Sequence, residues 1–374
     1  MSQEIYLDHA AATPTDRRVV LAMNRAMREA GNPSSFNDAG RRAAAVLADA
    51  RMKIARFLNA APREIVLCAS GSEANTLALS GAKHILTQPT EHLSVLYAAS
   101  ARAKFIPVDG VGLVNPDDII RALDPRTQIV SVMYANNEIG TIQPIARIGR
   151  AIARWRRAHH SAYPLFHVDA CQATACLDMD VQRLGVDLLT LNGAKVYGPH
   201  GAAALFVRRG VIIAPLVPGG SQEGGRRAGT EDVSSAVGLA TALSLVKKSD
   251  STKQTKLRDL LIGGILAVIP DACLNGPEGS ERLANNVNIS IPGTDSESLL
   301  LELDRYGIRA GSGSACTAYS VEPSHVLRAI KTPKKYLDGV LRFSLGRDTT
   351  HADIERVVRV LPLVVQRVLA RRKK

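Results

Sequence analysis

Apolar residues fall along this chain in two alternating rhythms. Short, nearly continuous apolar runs occur at EIVLCAS (64–70), TQIVSVMY (127–134), LFHVDA (165–170) and VDLLTL (186–191). Runs of this length suit strands of a mostly parallel sheet that is buried on both faces. Between them, EANTLALSGAKHI (73–85) and IARIGRAIARWRRAH (145–159) space their apolar residues three and four apart, as amphipathic helices do. Strand, helix and strand in that order imply βαβ crossovers with helices on both faces of the sheet.

The rhythm changes after VPGGSQEGGRRAGTEDV. A helical stretch over roughly 232–268, with a break near KKSDSTKQ, leads into strand NNVNIS, helix DSESLLLELDRYG, helix PSHVLRAI, strand LRFSLG and a final helix. The pattern predicts a large α/β domain over residues 1–255 and a smaller α+β domain over 256–374. The first 15 residues are expected to form an arm that belongs with the smaller domain.

Composition narrows the class. Hydrophobic residues make up 46% and charged residues 22%, which suits a folded chain. No run approaches the roughly 18 apolar residues of a membrane helix, and MSQEIYLDHAAATPT lacks the basic-then-apolar order of a secretory signal. A cytoplasmic location and no membrane partner are therefore expected. The five cysteines are odd in number, scattered and free of any CxxC pair, against a disulfide framework or structural zinc. The net charge of +12 comes from arginines spread along the chain, and aromatics reach only 4%. Without a base-stacking platform or motif, direct nucleic-acid binding is not expected, and the charge reads as a modulator of partners.

Three stretches carry candidate chemistry. ASGSEAN (69–75) follows a strand and opens a helix, where small residues let backbone N–H groups approach an anion. Such turns also arise for purely geometric reasons. HVDACQ (167–172) sets Asp169 at the carboxyl end of a buried strand, the edge where ligands collect in doubly wound sheets. That aspartate either caps a helix, its commoner fate, or faces a protonated ring nitrogen such as that of pyridoxal phosphate. Lys195, in TLNGAKVYGPHG, ends the next strand-like run. Partly desolvated there, a lysine has a lowered pKa and can bond to an aldehyde.

Anion turn, ring acid and lysine occur in one chain order, together with YLDHAAATP, GNPSS, TEHLSVL, YANNEIGTIQP, GGSQEGGRRAGTEDV, SGSACTAYSVEPSHVLRAI and LRFSLGRDTT. In these motifs the sequence resembles the pyridoxal-phosphate-dependent cysteine desulfurases of the class V aminotransferase family, along nearly its whole length. More narrowly, it is similar to the branch that supplies sulfur for iron–sulfur clusters and nitrogenase. The resemblance implies an aspartate-aminotransferase-like α/β fold (fold type I), a homodimer, and conversion of L-cysteine to L-alanine. It implies that Lys195 holds the cofactor, Gly71 and Ser72 bind its phosphate, and His92 stacks on its ring and helps move protons. Asp169 would keep the ring nitrogen protonated, while Gln172 and Asn137 would contact the ring oxygen and its surroundings. Thr230 would reach a phosphate in the partner subunit, and Arg347 would pair with the substrate carboxylate. Cys316, in the small-residue loop GSGSACTAYS, would attack the substrate sulfur and carry a persulfide to an acceptor protein, either a cluster scaffold or a thiolation or modification protein.

The match departs from the family in two places. Where the family has S-G-H-K, this chain has Asn192, Gly193 and Ala194 before the lysine, leaving Asn192 as a phosphate-side candidate. Where a histidine commonly follows NPSS by two positions, Asn37 stands. The ending VLARRKK is also shorter than in members that dock on a scaffold through a C-terminal segment. Rival readings are a selenocysteine lyase or other enzyme of the same fold, and a sulfur-relay scaffold that has lost catalysis.

Overall fold

The computed structural model describes residues 4–28, 31–313 and 323–372. Among them the strands, in chain order, are β1 (Ile5–Tyr6), β2 (Ile65–Cys68), β3 (Ile85–Thr87), β4 (Ala103–Phe105), β5 (Ile129–Ser131) and β6 (Leu165–Asp169). There follow β7 (Leu188–Asn192), β8 (Ala203–Val207), β9 (Cys273–Leu274), β10 (Asn286–Ser290), β11 (Ile308–Arg309) and β12 (Val340–Ser344). Seven strands form one sheet in the order β2-β8-β7-β6-β5-β3-β4. β8 runs antiparallel to β2 and β7, and the pairings β7-β6, β6-β5, β5-β3 and β3-β4 are all parallel.

Burial explains the composition of these strands. Val130, Phe166, Val168, Leu189, Leu191 and Phe206 are fully enclosed, because helices cover both faces of the sheet. The chain leaves β3 toward β4 on one side and β5 toward β6 on the other. That reversal opens a crevice between β3 and β5 at their carboxyl ends, where ligands bind in such folds.

The remaining strands build a second centre. β12, β10 and β9 form an antiparallel sheet, and β1 pairs in parallel with β11. A separate hydrophobic cluster joins Ile5 and Leu7 to Leu257, Ile289, Phe343 and Val364. The helix Lys248–Val268 runs unbroken through position 255.

Two helical expectations are corrected. The segment 73–85 is not one helix. The helix Gly71–Ala78 ends there, Gly81 adopts φ +80°, and Ile85 opens β3. In 232–268 the break falls between Ser244 and Lys248, and most of KKSDSTKQ starts the second helix. No helix among the described residues is long and apolar enough to cross a membrane.

Candidate active site

The carboxyl edge of the large sheet gathers most of the residues singled out above. Asp169 is the last residue of β6, and Gln172 lies in the turn just after it. Asn192 ends β7, and the tight turn Gly193–Lys195 follows at once. Gly71 and Ser72 open the helix after β2, His92 caps the helix Leu93–Ala99 after β3, and Asn137 lies beyond β5. All eight line one cavity, together with Ala10, Ala11, Asn75, Ser94, Met133, Cys171 and Arg342.

Each polar group in this cavity has a traceable partner. Asp169 is 2% exposed, and its carboxylate accepts from Asn75 Nδ2 at 2.7 Å and from the Cys171 backbone N–H at 3.0 Å. Both donors are neutral amides, which leaves the carboxylate able to pair with a cationic ring nitrogen. Lys195 Nζ donates to the Ala10 carbonyl at 2.9 Å and to the Ala11 carbonyl. Gln172 Nε2 donates to the same Ala10 oxygen at 2.9 Å. Asn192 Oδ1 accepts the Ala194 N–H at 3.0 Å.

The lysine turn is strapped by the N-terminal arm. Thr13 donates its backbone N–H to the Ala194 carbonyl at 2.9 Å, and Tyr197 donates its own to Thr13 Oγ1 at 2.7 Å. At its other end the arm is tied to the small sheet, with the Ala10 N–H on Ser344 Oγ at 2.8 Å.

Electrostatics divides the surrounding groups. Burial lowers the pKa of His92, offset in part by Asp169, while Lys195 and His325 lower it further. Glu91 is fully buried, and burial followed by the charge of Asp169 holds its carboxyl well above the ordinary range. Burial and Asp169 likewise push the Cys171 thiol well above its usual value, which makes it a poor nucleophile. His167, two residues before Asp169, is pushed down to about 4 by burial and is hydrogen-bonded between Ser131 Oγ and Thr190 Oγ1, a structural role.

Two expected residues lie elsewhere. Arg347 does not line the cavity. Its guanidinium pairs with Asp16 and sits 4.0 Å above the Tyr197 ring, while Arg342 of β12 is the arginine on the cavity wall. Thr230 is exposed in a separate groove with Cys68, Gly201 and Arg227. Cys316 falls outside the described residues. Asn37, at the family's histidine position, caps the helix Asp38–Leu58 through Oδ1.

Sequence reading missed Asn75, Ser94, Glu91 and Arg342. Asn75 had a legible signal, since it lies one helical turn after Gly71 and so on the same face. Arg342 had none, because its contribution depends on how the small sheet meets the large one. A separate groove lined by Asp109, Arg147 and Glu281 lies apart from the lysine, and neither histidine, cysteine nor lysine is among its lining residues.

The cavity fits pyridoxal phosphate. It offers an amine for the aldehyde, a buried carboxylate for the ring nitrogen and a helix start for the phosphate. A Cβ at Gly71 would come within 2.8 Å of Cys171 Sγ, so a larger residue there would have to push that side chain aside.

Comparison with known proteins agrees. The class-V aminotransferase family model matches residues 5–357. The cysteine desulfurase IscS of Dictyoglomus turgidum is 40% identical, with 98% of this chain and 96% of that protein covered. The IscS of Methanosarcina thermophila is 42% identical, over 98% and 93%. Among solved structures, a NifS-like protein from Rickettsia africae superposes with a TM-score of 0.86 at 30% identity, covering 97% of this chain and 100% of the other. SspA in complex with cysteine superposes at 0.78 and 30%, covering 93% and 100%. By these matches, and by the cavity its own residues build, this chain belongs to the class-V aminotransferases and, among them, to the pyridoxal-phosphate-dependent cysteine desulfurases.

Proposed function

We propose that the chain takes sulfur from L-cysteine, leaves L-alanine, and carries the sulfur as a persulfide on Cys316 to an acceptor protein. When bound, pyridoxal phosphate supplies an electron sink for the bonds around the substrate's α-carbon. The protein's own residues do the rest. Lys195 anchors the aldehyde and moves a proton at the α-carbon, Asp169 keeps the ring nitrogen protonated, and His92 stacks on the ring. Gly71, Ser72 and Asn192 hold the phosphate, while Gln172 and Asn137 orient the ring oxygen. The Cys316 thiolate attacks the substrate sulfur, so an S–S bond forms as the C–S bond breaks. The carbon keeps the electron pair and takes a proton, giving alanine.

One observation carries the role of Cys316. Gly313, three residues before it, sits against Glu138, where a Cβ would lie 3.3 Å from Oε2. Ser324, beyond the loop, donates to the same Glu138 oxygen, and His325 Nε2 lies 2.9 Å from the Glu91 carbonyl. Glu138 and Glu91 adjoin the cavity residues Asn137 and His92. The described residues on either side of the Cys316 segment therefore adjoin the cavity, which supports giving the sulfur-carrying role to a cysteine of that segment.

Arg347 takes the substrate carboxylate by exchanging Asp16 for it, since a guanidinium that grips one carboxylate can grip another. Thr230, exposed and outside its own cavity, serves the phosphate of a partner subunit, which makes the protein a homodimer. A cytoplasmic enzyme feeding iron–sulfur cluster assembly, tRNA thiolation or DNA modification fits this chemistry.

The test is alanine formation from L-cysteine with pyridoxal phosphate and a thiol reductant. The native protein is expected to form alanine and Cys316→Ala to lose all but a trace. Equal alanine from both would leave a lyase without Cys316 as nucleophile, and none from either would favour a degenerate relay scaffold.

A further inference from the structure

Four side chains in the cavity wall form one unbroken chain of hydrogen bonds. His92 Nδ1 accepts the Ser94 backbone N–H at 3.1 Å and lies 2.8 Å from Ser94 Oγ. Ser94 Oγ accepts from Asn75 Nδ2 at 2.9 Å, and the same Nδ2 donates to Asp169 Oδ2 at 2.7 Å. Asn75 is 1% exposed, and its Oδ1 has no partner among the described residues.

The direction of every proton in this chain follows from Asp169. An ionised carboxylate only accepts, so the Asn75 amide must turn its NH2 group toward it. Turning the amide over would set a carbonyl oxygen against a carboxylate oxygen. With NH2 fixed, Ser94 Oγ receives one amide hydrogen, and its own hydrogen points to the lone pair on His92 Nδ1. The Ser94 backbone N–H meets that same nitrogen. A proton on Nδ1 would collide with both donors.

We infer that Asn75 and Ser94 form a bridge between Asp169 and His92 that holds the imidazole in its neutral, Nε2-protonated form, as a hydrogen-bond donor in the cavity. The inference rests on the desulfurase reading of the site and adds two positioning residues to it. Its functional consequence is that His92 starts the reaction without a free basic nitrogen in the cavity. It can give a hydrogen bond, while taking a proton requires the Ser94 hydroxyl to turn. The charged and titratable groups around the ring agree with a neutral form: burial outweighs the attraction of Asp169 and Glu138, and Lys195 and His325 oppose a further positive charge.

The bridge is tested on the full-length, cofactor-loaded protein labelled with 15N in its histidine rings, with His92→Gln used to assign the signals. In the wild type the proton is expected on Nε2 from pH 6 to pH 8. Asn75→Ala removes the amide donor that helps orient the Ser94 hydroxyl toward Nδ1, which leaves that hydroxyl free to turn and accept from an Nδ1 proton instead, so the His92 titration midpoint should rise by about half a unit to one unit. Asp169 also loses the Asn75 amide donor, so pyridoxal phosphate affinity should fall roughly tenfold or more. A wild-type proton on Nδ1 overturns the inference outright, even if the variant does not fold. A variant that loses affinity with an unmoved His92 titration also overturns it, leaving Asn75 as a support for Asp169 alone. If the wild type bound no pyridoxal phosphate, the desulfurase reading would fail while the ring nitrogens still decided the bridge.

Discussion

At the scale of single residues, the site is an arrangement of protonation states more than of shapes. Asp169 and Glu91 are both buried carboxyls near one ring. Asp169 accepts from Asn75 and from Cys171, whereas for Glu91 burial and the nearby charge of Asp169 outweigh the hydrogen bonds from the Met133 N–H and Gln88. Its raised pKa makes Glu91 a cost to the fold at neutral pH. The unfolded chain releases this proton near the ordinary value of 4.5, while the folded chain retains it. Folded stability attributable to Glu91 is therefore highest below pH 4.5 and declines as pH rises toward the folded pKa. Glu91→Gln copies the neutral form and should melt above the wild type at pH 8, with the gap closing toward pH 4. A gap that widened on acidification would show Glu91 ionised in the fold.

Elements bring these residues together, and here the sequence was uneven as a guide. The strands β2, β5, β6 and β7 were legible because long apolar runs leave few alternatives, and the lysine and aspartate were legible because they end such runs. β3 and β4, each three residues long, were not. β5 is equally short but lies inside the longer apolar run 127–134, whereas β3 has no such run and was absorbed into the preceding helical pattern. The fastening of β2 was also invisible, because its partners lie far apart in sequence. Arg51, on the helix Asp38–Leu58, makes two bonds of 2.7 Å to Glu223 and a third to the Ile65 carbonyl. Glu223 in turn accepts the Leu67 N–H at 2.9 Å. Arg51→Met would leave Glu223 buried without its counter-charge, at a cost of about 3–5 kcal/mol, read as a lower denaturant midpoint. Adding Glu223→Gln should recover much of that loss. If the single variant unfolded like the wild type, the pair would be dispensable.

At the scale of the whole molecule, the N-terminal arm joins the two hydrophobic centres through Lys195, the proposed cofactor lysine. Ile5 and Leu7 are buried with the small sheet, and a few residues later Ala10 and Ala11 offer their carbonyls to Lys195. A free lysine ammonium has three hydrogens to share, but a nitrogen joined to an aldehyde carbon by a double bond keeps at most one. On the proposed role of Lys195, loading the site would remove at least one of these two hydrogen bonds, and the arm would register the event. Linkage makes the effect mutual: whatever slackens the arm also favours the bonded lysine, and whatever pins it opposes cofactor capture. Amide hydrogen exchange at Ala12 and Thr13 should quicken when pyridoxal phosphate is added, and unchanged exchange would mean that the arm does not sense the lysine. Ten residues of unremarkable sequence thus act as a tension gauge, through which the small sheet feels whether the enzyme is charged.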